Sequence, residues 1–107
     1  MSGVVGMRAS LGQANGPDVE LIVTGTPEYA IYETLDGAPA IYDEQLGLFC
    51  YARVAAGEYQ STAVPITEPM PAGVVLHARE SDEVRARKIN LSQSRRKRQV
   101  QKPPNQE

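Results

Sequence analysis

The feature that most constrains the fold is an alternation of short apolar runs and turn residues across residues 29–66. The apolar and aromatic runs occupy residues 29–35, 40–43, 48–54 and 59–64. The turn signals between them lie at residues 36–37, 44–47 and 55–58. Asp36-Gly37 is the clearest turn, because this pair tolerates the positive φ angles of a tight hairpin. Strands joined by such short turns pair antiparallel, so the pattern predicts a β-meander.

The composition on either side of the meander predicts an α+β chain with four parts. Residues 1–17 are rich in glycine and weakly periodic, which favours a flexible arm, and residues 18–68 form the meander, with about four to five strands. Residues 69–92 form a proline- and glycine-containing connector and a helix. Residues 93–107 form a basic tail that is expected to be disordered.

Three single residues carry local predictions. Ser81 is placed to cap the helix, since Asp82 and Glu83 follow it in the first turn, where the helix dipole favours anions. His77 is expected to be a surface residue at the start of the helical region. Pro39 follows the hairpin turn and lacks the N–H donor of a strand residue, so we expect it on an exposed edge.

The strands of the meander have apolar residues on both faces, which indicates a sheet that is covered on both sides by the helix or by a partner. A domain of about seventy to eighty folded residues also has a marginal core, so we expect a protein partner or a second copy of the chain to stabilise it. The expected partner-binding residues are the aromatics of the sheet: Tyr32, Tyr42, Phe49 and Tyr51.

The net charge of −2 conceals a strong asymmetry along the chain. Residues 1–78 hold two basic and nine acidic side chains, whereas residues 79–107 hold nine basic and four acidic ones. A local cluster of cations can bind phosphates or an acidic surface, and it can equally serve as a solvated tail that keeps the protein soluble. The candidate anion-binding residues are Arg85, Arg87, Lys88, Arg95, Arg96, Lys97 and Arg98.

The sequence gives little support to an enzyme. It contains no nucleotide-binding loop, paired C-x-x-C, H-E-x-x-H, G-x-S-x-G or calcium-loop motif. Cys50 is expected to act as a small buried hydrophobe, and a nucleophilic pair of Cys50 with His77 is the weaker interpretation. The turn acids Asp36, Asp43 and Glu44 are expected to be structural. We therefore predict a non-enzymatic protein with no cofactor and no metal site.

Two patterns bear on the cellular location. No apolar run approaches the roughly 20 residues that a membrane helix needs. The first residues also lack the positive segment and long apolar stretch of a signal peptide. We therefore expect a cytoplasmic protein with no membrane span.

Several short motifs carry a family resemblance. They are Tyr29-Ala-Ile-Tyr-Glu-Thr-Leu-Asp-Gly37, Ala40-Ile-Tyr-Asp43, Gly47-Leu-Phe-Cys-Tyr-Ala52, Ser61-Thr62 and the exit at residues 71–85. In these the chain resembles the amino-terminal, propeptide-like domain of immune inhibitor A-like metalloproteases. The chain departs from the family pattern at Ala38-Pro39 and at Ala63, and no metalloprotease motif follows. The resemblance implies a stand-alone relative of an accessory domain, and no catalytic residue carries over.

Together these observations predict a non-catalytic protein-binding module. Its expected role is accessory or structural subunit of a larger complex, or propeptide-like inhibitor or chaperone of a protease. The alternative is a nucleic-acid or anionic-surface binder that acts through the basic tail. A homo-oligomer is compatible with either.

Overall fold

The computed structural model describes residues 3–101, and the side chains of residues 3–93. The chain forms one antiparallel sheet whose strand order follows the order of the sequence, and a helix follows the last strand. The elements are β1 Val4–Gln13, β2 Gly16–Thr26, β3 Tyr29–Glu33, β4 Pro39–Asp43, β5 Leu48–Ala55, β6 Glu58–Pro65 and α1 Asp82–Gln101. The predicted meander and C-terminal helix are thus confirmed, with six strands in place of four to five.

The additional strand is β1, which occupies most of the segment that was expected to be a flexible arm. Met7, Ala9 and Leu11 pair with Val23, Leu21 and Val19 of β2, so alternate residues bring apolar side chains to one face. The glycines that weakened the sequence pattern mark irregular positions in the strand. The β1–β2 register shifts around Gly6, which has a φ of 60° and donates its N–H to Thr24 Oγ1 at 2.9 Å.

The predicted turns connect β3 through β6. Gly37 has a φ of 95°, and its N–H donates to the Thr34 carbonyl at 2.9 Å, so the Asp36-Gly37 signal marks a turn that begins at Thr34. The β5–β6 connection is a two-residue turn at Ala56-Gly57, where φ is 53° and 79°. Positive φ at both central positions is the geometry that matches the twist of a hairpin.

The core lies on one face of the sheet, where Val19 and Leu21 of β2 meet Ala40 and Phe49. Leu11, Tyr32 and Ile66 pack against this cluster. Strand alternation places Ile31 and Cys50 on the opposite face, and both are buried. This face is therefore also covered, as predicted, and α1 lies against β3. Pro39 is fully buried rather than exposed at an edge, since it pairs with Glu33 between two strands.

The connector from β6 to α1 crosses the sheet and is fixed to it by hydrogen bonds. Ala78 accepts one from the Tyr59 hydroxyl at 2.7 Å, and Gly57 accepts one from the Ser81 N–H at 2.8 Å. Ser81 Oγ in turn accepts the Val84 N–H at 3.2 Å, which confirms the predicted N-cap. His77 belongs to this connector rather than to the helix, with a φ of 61°.

Candidate functional site

The sheet opens between β3 and β4. The ladder between these two strands holds two pairs, Tyr32 with Ala40 and Glu33 with Pro39. Each strand is paired along more of its length with its other neighbour, β3 with β2 and β4 with β5. The beginning of β3 and the end of β4 therefore diverge and leave a cavity of about 240 Å³ between them. We call this cavity the β3–β4 slot.

The wall of the slot is largely aromatic. Tyr29, Tyr32, Tyr42 and Tyr59 line it, together with the aliphatic side chains of Ile31 and Ile41. Two of these rings are held by edge-on contacts with Phe49, at centroid distances of 5.6 Å for Tyr32 and 5.0 Å for Tyr42. Tyr42 is also fixed at its hydroxyl, which accepts the Ala14 N–H at 3.1 Å. The aromatic wall is consequently preformed.

The backbone groups that face the slot follow from the alternation of hydrogen bonds in an antiparallel pair. Thr34 donates its N–H to the Ala38 carbonyl at 2.8 Å, so this pair is a hydrogen-bonded one. Two residues further, Tyr32 and Ala40 form the next such pair. The alternation then directs the N–H and C=O groups of Ala30 and Tyr42 into the slot, where the β3–β4 ladder does not join them.

One end of the slot is closed by a buried carboxylate, Glu80, whose side chain is 1% exposed. Its Oε1 accepts a hydrogen bond from the Tyr29 hydroxyl at 2.6 Å. Its Oε2 accepts the Tyr59 N–H at 2.8 Å and the Lys88 ammonium at 2.6 Å. Every acceptor oxygen is thus engaged, and Glu80 joins the start of α1 to strands β3 and β6.

These contacts shift the pKa values of the groups involved. Burial opposes ionisation of Glu80, but hydrogen bonds from Lys88, Tyr29 and the Tyr59 N–H together outweigh it and hold the pKa of Glu80 below its ordinary value. Burial and the hydrogen bond to Glu80 raise the pKa of Tyr29. Glu80 is therefore an anion and Tyr29 a neutral donor at neutral pH.

A second buried carboxylate, Glu33, holds the connector to β3. Its Oε2 accepts a hydrogen bond from Arg79 at 2.6 Å and lies 3.2 Å from Nδ1 of His77. The His77 ring lies against Gly37, where a Cβ atom would be 2.6 Å from the ring carbon Cε1. Glu33 and Glu80 therefore both act as anchors for the segment that follows β6.

The predicted partner-binding residues divide into two groups. Tyr32 and Tyr42 line the slot. Phe49 and Tyr51 are each 7% exposed, because Phe49 belongs to the core and the Tyr51 hydroxyl is turned toward the connector, where it donates to the Glu68 carbonyl at 2.7 Å. Phe49 thus supports the aromatic wall from behind, and Tyr51 holds the connector.

The predicted anion-binding residues also divide. Arg87 and Lys88 lie beside Glu58, at 3.5 and 3.7 Å, and Lys88 also bonds Glu80. Arg85 lies over the Tyr29 ring and 3.4 Å from Asp82. The side chains of Arg95, Arg96, Lys97 and Arg98 lie outside the described residues, as do residues 102–107.

The groups considered for catalysis have structural partners. Cys50 is buried, and burial raises the pKa of its thiol, whereas His77 faces Glu33. Asp43 caps its turn by accepting the N–H groups of Gln45 and Leu46, and it also accepts the Ser61 hydroxyl at 2.8 Å. Among the described side chains, no group of three or more His, Cys, Asp or Glu residues is placed to hold a metal ion.

Sequence reasoning did not find the residues that complete the slot, namely Tyr29, Tyr59 and Glu80. The sequence pattern places the two tyrosines in strands without a further role, and Glu80 within the connector and helix of residues 69–92. The available signal was the position of Glu80 directly before the N-cap Ser81, but its partners are 21 and 51 residues away in the chain. Such contacts depend on the path of the connector, which the local pattern does not encode.

Two further observations concern the chain as a whole. Within residues 3–101, no helix combines the length and the apolar character required to cross a membrane. Comparison of the chain with protein-family models, with curated protein sequences and with solved structures gave no match. These comparisons provide no link to immune inhibitor A-like metalloproteases, so that resemblance stays a prediction.

Proposed function

We propose that this protein is a non-catalytic protein-binding module whose binding site is the β3–β4 slot. The occupant is an extended segment of a partner protein, with one apolar side chain that fills the aromatic cavity. Such a module acts as an accessory or structural subunit of a larger complex. The resemblance noted above favours a narrower role, that of a propeptide-like inhibitor or chaperone of a protease.

The observation that carries this proposal is the early end of the β3–β4 ladder. An N–H or C=O group that faces an apolar cavity without a protein partner is costly, and an extended segment can supply the missing hydrogen bonds. By the alternation of hydrogen bonds, the N–H and C=O groups of Ala30 and Tyr42 point toward the slot, beyond the two paired positions of the β3–β4 ladder. A bound segment would therefore pair with the backbone of β3 or β4.

The walls of the slot support the same occupant. A cavity of about 240 Å³ lined by tyrosine rings and two isoleucines accepts one large apolar side chain. Tyrosine is enriched at protein interfaces, because its ring supplies contact area while its hydroxyl stays hydrogen-bonded. Three charged residues, Glu28, Glu80 and Lys88, also line the slot, and Glu80 and Lys88 form an ion pair with each other at 2.6 Å.

A non-catalytic role agrees with the way the polar groups are used. Glu80 has both oxygens occupied by donors from the fold, and Asp43 serves its own turn. Neither carboxylate is left to act on a substrate.

The test compares wild-type protein with Ala30→Pro in capture of partners from a peptide library and from the native cell. Proline removes the N–H that faces the slot, whereas the pairing of Ala30 with β2 does not use that donor. We expect peptides with alternating apolar residues to bind the wild type, and Ala30→Pro to weaken that binding about tenfold or more.

The matched control is Val5→Pro, which introduces the same residue at an exposed position of β1 that is distant in the sheet from β4. It should bind the selected peptides like the wild type. The proposal fails if no extended peptide or partner segment binds, or if binding survives Ala30→Pro unchanged while far-ultraviolet circular dichroism shows an intact fold.

The alternative of nucleic-acid or anionic-surface binding through the tail rests on the composition of residues 95–98, whose side chains lie outside the described residues. Arg87 and Lys88 are already close to carboxylates of the fold. This alternative therefore stays a prediction, and it would appear as binding to RNA or DNA that weakens with salt and is lost on truncation after Leu91.

A further inference from the structure

We propose that a second, smaller cavity between β2, β3 and the start of α1 binds an oxyanion, a carboxylate or a phosphate group, between the guanidinium groups of Arg79 and Arg85. The cavity has a volume of about 200 Å³. Its lining consists of Thr24, Gly25, Tyr29, Ile31, Arg79 and Arg85. This inference does not depend on the proposed function of the β3–β4 slot.

The charge of the lining is the first argument. Two cationic side chains face the cavity, and none of its lining residues is acidic. Both arginines belong to residues 79–107, the part of the chain that holds nine basic and four acidic side chains. Two guanidinium groups that converge on one cavity provide the forked donors that match a carboxylate or phosphate.

Arg79 is held in place by groups behind the cavity. Its Nη1 donates to Glu33 Oε2 at 2.6 Å and to the His77 carbonyl at 3.2 Å. A guanidinium has five N–H donors, so bonds made through Nη1 leave other donors for a ligand. Glu33 also faces His77, and its side chain is 11% exposed, so its ion pair with Arg79 is largely shielded from solvent. Arg79 is therefore a fixed cation with donors to spare.

Arg85 makes weaker contacts with the rest of the protein than Arg79 does. Its guanidinium carbon lies 5.8 Å from the centre of the Tyr29 ring, and its ion pair with Asp82 is long, at 3.4 Å. Asp82 has a side chain that is 99% exposed, and exposed pairs of this kind are worth little. An anion in the cavity can thus recruit Arg85 at small cost.

The remaining walls define the size of the ligand. Thr24 lines the cavity, and its Oγ1 accepts the Gly6 N–H, so the hydroxyl acts as an acceptor there and still has one proton to donate. Gly25 has a φ of 136°, and any Cβ there would collide with the Tyr29 carbonyl, so β2 and β3 approach closely beneath the site. A volume of about 200 Å³ is sufficient for one oxyanion and a few attached atoms.

The experiment titrates the full-length protein with sodium phosphate, and separately with sodium acetate, against sodium chloride at equal ionic strength. Amide chemical shifts are followed by two-dimensional NMR. We expect saturable changes at Thr24, Gly25 and Ile31 with at least one of the two anions. Preference for phosphate assigns a phosphoryl ligand, preference for acetate assigns a carboxylate, and similar affinities support a site for either oxyanion.

Two variants on the same helix provide the comparison. Arg85→Gln should weaken the binding about tenfold or more, whereas Arg87→Gln removes an equal charge that does not line the cavity and should change it less than about twofold. The proposal is overturned if neither anion gives saturable shifts at the cavity, if the shifts map to residues 95–98, or if both variants weaken binding equally. Because the shifts of the wild type locate the site, loss of folding in one variant would not conceal these outcomes.

Discussion

Glu80 accepts the backbone N–H of Tyr59 at 2.8 Å and thereby ties the first residue before the N-cap of α1 to the start of β6. The same carboxylate receives Tyr29 and Lys88, so one side chain holds two strands and the helix together. The first two predictions concern this relationship.

Glu80→Gln should lower the free energy of unfolding by about 2 kcal/mol, because the amide lacks the charge that strengthens three hydrogen bonds and offers one acceptor oxygen in place of two. Urea unfolding monitored by circular dichroism measures this change. The control is Glu58→Gln, which removes an exposed partner of the same Lys88 and should cost less than about 0.5 kcal/mol. Equal effects of the two substitutions would contradict the assignment of Glu80 as the anchor.

The stabilisation by Glu80 should be lost in acid. Its folded-state pKa lies below the ordinary value of 4.5, so the stabilisation is fully present above pH 4.5 and disappears as the pH falls through the folded-state pKa. Glu80→Gln has no group to titrate at this position. The stability difference between wild type and Glu80→Gln, measured by urea unfolding from neutral pH downward, should therefore shrink below pH 4.5. A difference that stays constant into strong acid would refute the depressed pKa.

Gly37 and Gly73 offer a matched pair of substitutions. Their φ angles are 95° and 91°, so alanine carries a similar backbone cost of about 1 kcal/mol at either position. At Gly37 the added Cβ also meets the His77 ring, whereas at Gly73 no atom lies within 4 Å. Gly37→Ala should therefore destabilise the protein by about 1–2 kcal/mol more than Gly73→Ala.

The double variant Gly37→Ala with His77→Ala isolates that ring contact. Removing the ring should recover much of the additional cost of Gly37→Ala in thermal unfolding. Strictly additive effects would mean that the Cβ and the ring do not meet.

Ala56→Asn should stabilise the protein by about 0.5–1 kcal/mol. Ala56 has a φ of 53° at the first central position of the β5–β6 turn, where asparagine is better tolerated than alanine and Asn-Gly is the favoured pair. The melting temperature measures the gain. Ala55→Asn, one residue earlier in β5, should give none, because asparagine is disfavoured in strands. A loss of stability in Ala56→Asn would contradict the turn geometry.

The regular part of this fold could be predicted from sequence because its contacts are local. Residues 29–65 alternate between apolar runs and turn residues, and β3 to β6 follow that pattern closely. Ser81 was placed correctly as the N-cap, since capping depends on the residues that directly follow it. These predictions concern interactions within a few residues or between consecutive strands.

The sequence pattern does not predict strand β1, because its alternation of apolar residues is interrupted and becomes evident only beside β2. Gly6 and Gly12 interrupt the periodicity. The apolar residues Met7, Ala9 and Leu11 are recognisable as one face of a strand only through their pairing with β2. Pro39 was assigned to an edge because it cannot donate a hydrogen bond, but in the Glu33–Pro39 pair no such donor is used. Both errors come from judging a strand without its neighbour.

The candidate sites were less accessible to sequence reasoning. Tyr32 and Tyr42, which the sequence predicts as partner-binding residues, line the slot, but the slot itself depends on how far the β3–β4 ladder extends. Arg79 and Arg85 converge because the connector returns across the sheet, which joins Arg79 to a residue 46 positions earlier. The sequence shows that Arg85 is a cation, but its place in the lining of a cavity follows only from the path of the chain in the structure.

The strand order, which runs from β1 to β6 without a crossover, has a consequence for folding kinetics. Each strand finds its partner across a short loop, so the sheet can assemble by successive hairpins with little loop-closure entropy. The contacts of Glu33 with Arg79 and of Tyr29 with Glu80 close loops of 46 and 51 residues and should form after the transition state. Loss of these late contacts should accelerate unfolding while leaving the refolding rate almost unchanged.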